Sequence, residues 1–279
     1  MIRIASNAIL FALVPLSAQA QGAGKWEVKV APAECSLVRV VQTPVPALLA
    51  VRTVPGTDEF IVLASGRDVP EGGKPEGFPA RLSFDGGKPI NATATPLGKL
   101  AAGPALQLAP FKPAMLGAFA AARTVSVGST SRSFASFDVP RAGEAIAALR
   151  KCIDDQLLEW GADPAQFAPG GTRPVAIKDR DDWLTNDQLL KLAGASSGTN
   201  ADYLFRVTIA PNGAIISCKR EEAPANDPIE KLGCDPLVAQ KLFTPAKNPA
   251  GAPVKGIAAF RVTLIRQAMA TPPNAAQPR

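Results

Sequence analysis

Cysteine stands at only four of 279 positions, Cys35, Cys152, Cys218 and Cys234, and histidine at none. What those four thiols do decides which distant segments of the chain lie side by side. An even number of cysteines in an oxidising compartment is expected to form a disulfide framework, and four cysteines allow three connectivities. The rival use is metal binding, but the chain has no C-x-x-C spacing, and without histidine the usual zinc sets shrink to four thiolates. Structural disulfides are therefore expected, with no metal and no cofactor.

The N-terminus points to an oxidising destination. Met1-Ile2-Arg3 precedes an apolar run over residues 8–16 and then Ser17-Ala18-Gln19-Ala20. That is the pattern of a secretory signal peptide (residues 1–20) with an A-x-A-like cleavage site. A spanning helix needs about 20 apolar residues, roughly twice this run. Cleavage after Ala20 and a periplasmic protein without stable membrane insertion are expected. The net charge is +6 and its cations are scattered singly. Nucleic acid, which asks for a clustered basic stripe, is not an expected partner.

With 27 prolines and 23 glycines, the chain is cut into short segments. After the leader these are mostly β-branched or alternating runs, at residues 25–30, 36–41, 48–53, 59–63, 80–84, 91–95, 105–108, 124–127 and 133–139. They read as antiparallel strands. A short helix is expected over 113–122, where Met115, Leu116, Phe119 and Ala120 share a face. A longer one is expected over 141–160, with Ile146, Leu149, Ile153, Leu157 and Trp160 spaced by three and four, Glu144 in the first turn and Gly161 as the stop.

The fold class expected is α+β. An N-terminal antiparallel sheet domain with covering helices (21–163) is followed by a Pro/Gly-rich linker (164–180), a small second domain (181–268) and a disordered tail (269–279). The second domain reads as a helix over 183–193 capped by Thr185 or Asn186, a strand over 201–210, a turn at Pro211-Asn212-Gly213 and a strand over 214–219. A helix over 236–243, a Pro/Gly reversal over 244–256 and a strand over 257–266 complete it. Asn-Gly between two β-rich runs is the strongest short-range hairpin signal. This division favours Cys35 with Cys152 and Cys218 with Cys234, each pair inside one domain, while spacing alone leaves all three connectivities open.

The ordered set of helix, strand, N-G hairpin, strand, helix, "FTPAKNPAGAPVKG" and closing strand resembles a TonB C-terminal domain over residues 183–267. The residues that carry the resemblance are Pro211-Asn212-Gly213, Phe243-Thr244-Pro245-Ala246, Gly251-Ala252-Pro253-Val254 and the strand over 257–266. It implies edge-strand pairing with an extended segment of an envelope protein or peptide, an outer-membrane receptor among the candidates. The partner-binding residues it implies are Ile257, Phe260, Arg261, Thr263 and Arg266. Cys218 and Cys234 depart from the family pattern and, if bonded, tie the hairpin to the following helix. In the first domain, a helix, two strands and a helix containing "AALRKC" (147–152) loosely resemble exported proteins named for the invasion-associated locus B. That resemblance implies an envelope protein and no known chemistry.

Catalysis is not expected. Without histidine the Ser-His-Asp and Cys-His devices are excluded, and no phosphate loop or nucleophile elbow is present. The acidic pairs Asp154-Asp155 and Asp181-Asp182 are chain neighbours, which do not face one another on a helix. Trp26, Trp160 and Trp183 are read as core. Two other readings are an anchored TonB-like transducer of energy for outer-membrane transport, and a carboxylate-based enzyme acting on envelope glycan. The short linker and cleavable leader argue against the transducer. Unreduced mass spectrometry of the protein from fractionated cells is expected to show a chain starting at Gln21 with every thiol oxidised; an intact Met1 in the inner membrane would reverse the leader assignment.

Overall fold

Alternation of inward and outward side chains, with period two, generates a row of apolar residues only if every strand keeps register with its neighbour. The computed structural model describes residues 24–42, 45–71, 77–196, 200–224 and 226–265. The leader, the tail over 269–279 and Arg266 lie outside the described residues. The first part comprises β1 (Trp26–Ala31), β2 (Glu34–Val41), β3 (Ala47–Thr53), β4 (Phe60–Ser65), β5 (Phe78–Phe84), β6 (Ile90–Leu100), β7 (Gly103–Phe111), α1 (Ala114–Ala121), β8 (Thr124–Gly128), β9 (Ser133–Asp138) and α2 (Ala142–Glu159). The strands form one sheet in the order β1-β2-β3-β4-β7-β6-β5-β8-β9, all pairs antiparallel.

Register lines up two rows across the sheet. Leu37 sits opposite Val51, Val51 opposite Val62, and Val62 opposite Leu108; one step along, Arg39, Leu49, Ala64 and Leu106 form a parallel row. Against this face pack Met115, Leu116 and Phe119 of α1 and Ala145, Ile146, Leu149, Ile153 and Leu157 of α2. The spacing of those α2 residues is the amphipathic stripe expected from sequence. Phe119 takes the rings of Trp26 and Phe84 edge-on, each at 5.8 Å. Trp26 Nε1 also donates to Pro140 O, just past β9, at 3.0 Å. The two edges of the sheet are thus drawn together around α1. The Cys35–Cys152 disulfide, with Cα atoms 6.1 Å apart, fixes β2 to α2.

The second part comprises β10 (Val175–Ala176), α3 (Asn186–Ala195), β11 (Asn200–Ile209), β12 (Ile215–Arg220), α4 (Pro228–Cys234), β13 (Phe243–Thr244), β14 (Ala246–Lys247), β15 (Pro253–Val254) and β16 (Gly256–Ile265). The architecture is α+β throughout: the large antiparallel sheet with helices packed on it, then smaller sheets with helices. The main C-terminal sheet has the order β12-β11-β16. Thr185 caps α3 through a capping box with Gln188. In the β11–β12 turn Gly213 has φ +83°, and a Cβ there would stand 2.1 Å from Phe243 O, so both conformation and space demand glycine. Phe205 and Phe260 stack at 4.9 Å, and Trp183 meets Phe243 and Phe260 edge-on. Cys218 of β12 is bonded to Cys234 at the end of α4.

One expected element is displaced. The helix expected over 236–243 lies instead at Pro228–Cys234. The Asp227 side chain accepts hydrogen bonds from the amides of Ile229 and Glu230, and Pro228 starts the helix where its missing N–H is harmless. Beyond α4, Ala239 takes φ +67°, which ends helical continuation, while Leu237, Leu242 and Phe243 still reach the core. The segment 164–180 connects the two parts but is ordered rather than a free spacer. Val175 and Ala176 pair with Thr244 and Phe243, and Thr172 pairs with Lys247.

Phe119 is fully buried at the centre of the helix–sheet contact. Phe119→Ala is expected to lower unfolding free energy by about 3–5 kcal/mol through lost burial and the cavity left behind, read as a drop in the urea midpoint with unchanged slope.

Candidate functional site

Strand β16 carries the residues singled out from sequence, and its surroundings decide which of them can meet a partner. Alternation places Ile257, Ala259, Arg261 and Thr263 on one face and Ala258, Phe260 and Val262 on the other. The second face is core: Phe260 is buried against Phe205 and Trp183. Ile257 is buried too, but in the core of the first domain. Of the five implied residues, Arg261 and Thr263 therefore face a cleft, Phe260 and Ile257 lie in two different cores, and Arg266 is outside the described residues.

The free edge of β16 is partly occupied by the chain itself. The amide of Ala259 donates to Gly56 O at 2.9 Å, across from the β3–β4 turn. Gly56 has φ +84°, and a Cβ there would lie 2.9 Å from the Ala259 nitrogen and 3.0 Å from Ala258, so only glycine permits this approach. Further ties run beside it. The Asp163 amide donates to Lys255 O at 3.0 Å, Arg206 lies over the Trp160 ring at 4.8 Å, and Arg173 pairs with Asp154. Trp160 thus belongs to the contact between domains.

Because the Ala259 amide points outward, the main-chain groups of Arg261 and Thr263, two and four residues on, point the same way. Among the described residues these groups make no backbone hydrogen bond. They open on a cleft of about 660 Å³ lined by residues of both the large sheet and the C-terminal part. The β3–β4 turn with Asp58 and Glu59, together with Gln107, Lys112, Lys178 and Arg180, also lines it.

The charges of the cleft are organised in pairs. Glu34 accepts from Arg52 Nε at 3.0 Å and from Ser36 Oγ at 2.8 Å. Burial raises the Glu34 pKa, but the hydrogen bonds from Arg52 and Ser36, together with the Arg52 and Arg261 charges, outweigh it and hold the carboxyl below its ordinary value. Arg180, largely buried over the Trp183 ring, pairs with Asp58 at 2.9 Å and donates to Gly56 O at 3.1 Å. Burial pulls its pKa down, opposed by Asp58, Glu59 and Asp179. Asp202 holds Arg261 and accepts from Thr263 Oγ1 at 3.1 Å. Asp154 is different, its carboxyl raised by burial despite Arg173, but it lies outside the cleft. Among the described residues no group of three or more His, Cys, Asp or Glu is placed to hold a metal ion.

Arg180, Asp58 and Gly56 were missed as site residues from sequence. Pro-Gly at positions 55 and 56 is a local turn signal, but nothing local tells that the turn's carbonyl meets a strand about two hundred residues later. Comparison with protein-family models, curated proteins and solved structures finds no match to this chain.

Replacing Gly56 with alanine forces a side chain into positive φ and against the β16 backbone. The expected cost is about 1–3 kcal/mol, with faster hydrogen exchange at the Ala259 amide than at buried β7 amides; equal protection in both proteins would show that this contact does not hold the domains together.

Proposed function

We propose that the protein is a non-catalytic binding module of the bacterial envelope, exported to the periplasm, which pairs an extended segment of a partner protein with the open part of β16. The observation that carries this reading is the outward main chain of Arg261 and Thr263 facing a formed cleft. Those two residues offer up to about four hydrogen bonds to an added strand. Arg261, Arg180, Lys178 and Lys112 sit beside Asp58, Glu59 and Asp202, a mixed field that selects a segment carrying both signs of charge.

The order α3, β11, N-G turn, β12, α4, β16 supports a TonB C-terminal-like reading of the second domain, and an outer-membrane receptor is the first partner to examine. Two disulfides fit an oxidising compartment outside the cytoplasm. No described helix is long and apolar enough to cross a membrane. The non-catalytic reading is supported by the engagement of Glu34, Asp58 and Asp202 by arginines and by the lowered pKa of Glu34, which keeps that carboxyl from serving as an acid near neutral pH.

The test is a photo-crosslinking amino acid in place of Gln107, on the cleft wall, activated in living cells. A discrete protein adduct is expected. Thr263→Pro removes one outward N–H without touching the β11 ladder and should abolish the adduct, whereas Thr263→Ala should retain it. No adduct would reject partner binding at this cleft, and an adduct indifferent to proline would reject strand pairing as its basis.

A further inference from the structure

Arg39 is out of place in the core of the first domain. It sits in the row with Leu49, Ala64 and Leu106 on the face that otherwise collects apolar side chains. It is 5% exposed, yet its Nε and Nη1 have no hydrogen-bond partner among the described residues. The Trp26 ring lies 5.8 Å from the guanidinium carbon on one side. Asp138 favours the charge through space without forming an ion pair with it, and burial pulls the Arg39 pKa down. A buried cation without acceptors is unfavourable, and a chain gains stability by replacing it with an apolar residue unless something else takes up its hydrogen bonds.

Arg39 is one of the residues that line a cavity of about 930 Å³ at the end of the sheet where β2, β3 and β9 come together. Its volume is within the range of small-molecule sites, roughly 300–1,000 Å³. The walls divide by chemistry. Val41, Ala47, Ala122, Phe134, Phe137 and Val139 form an apolar lining. The rim carries Arg67, Arg123 and Arg141 against Asp68 and Asp138, so that with Arg39 the cations exceed the acids. Glu144 engages Arg141 only at 3.7 Å, between exposed side chains.

We propose that this cavity is a binding site for a small amphipathic oxyanion, an organic acid whose carboxylate meets Arg39 and whose apolar body lies along the wall of Val41, Ala47 and Phe137. The carboxylate supplies the counter-charge that Arg39 lacks, since among the described residues no acid forms an ion pair with it. The apolar lining excludes bare inorganic anions, which would leave it wet, and a neutral apolar molecule leaves the guanidinium unanswered. This site lies on the first domain and does not depend on the cleft beside β16.

Octanoate is the probe, titrated calorimetrically into the full mature protein, with octanol, octylamine and inorganic phosphate as comparisons. Saturable binding of octanoate at least about tenfold tighter than of octanol is expected, as is a loss of about tenfold or more in Arg39→Met. Unliganded Arg39→Met should melt at or above the wild-type temperature, because an unpaired buried charge is gone; a merely structural arginine would give a lower one. Ala47→Phe fills the cavity, leaves Arg39 in place and should weaken octanoate equally, which keeps the test open if Arg39→Met does not fold. Absence of octanoate binding, equal affinity for octanol, wild-type affinity in the variants, or binding of phosphate alone would each overturn the proposal.

Discussion

Strand β16 is sealed into two cores at once, and the arrangement of both domains follows from that burial. Ile257 completes the apolar interior of the nine-stranded domain, while Phe260, three residues on, stacks with Phe205 in the other. A strand with two apolar faces has no solvent side, so each domain must lie against it. Gly56 then becomes obligatory, Arg180 is drawn into the seam with Asp58, and only the stretch from Arg261 onward emerges at the surface. The open edge proposed for partner pairing is what remains of a strand mostly consumed by its own chain.

The first domain solves a different problem. A nine-stranded antiparallel sheet has two edges, and each is a hazard for unwanted pairing. Here the sheet bends about α1 until Trp26 of β1 reaches the backbone after β9. One aromatic residue, Phe119, meets both Trp26 of the edge strand β1 and Phe84 of β5 from the other half of the sheet. The disulfide from β2 to α2 holds the second helix across the same concave surface. Curvature also opens the end where Arg39 sits, since strands that converge at one end of a bent sheet leave room between their tips.

Much of this was legible in the residues because it rests on local signals. The period of α2, the Thr185 cap, the Asn212-Gly213 turn, the strands of the large sheet and β11, β12 and β16 follow from neighbours a few positions apart, whereas the two-residue strands β10, β13, β14 and β15 carry no such signal. The disulfide pairing came out of the division into domains. The displaced α4 shows that apolar content alone does not mark a helix: Leu237 and Leu242 are core residues held by irregular backbone, whereas the Asp227 cap and Pro228 start the helix upstream. What no local pattern carried were facts of tertiary contact. Ile257 and Phe260 look alike on a strand, yet they belong to different cores. Val41 and Arg39 differ in kind, but the sequence does not tell that the cationic one is the more deeply buried.

The hydrogen bond between Ala259 and Gly56 joins positions about two hundred residues apart, and the Cys35–Cys152 link spans 117. Such separations give the chain a high contact order, and chains of that kind acquire their native state slowly because long loops must close before any contact rewards them. The nine-stranded portion lacks Ile257 in its interior until the late strand is in place, so completing that core requires the C-terminal part of the chain to be present.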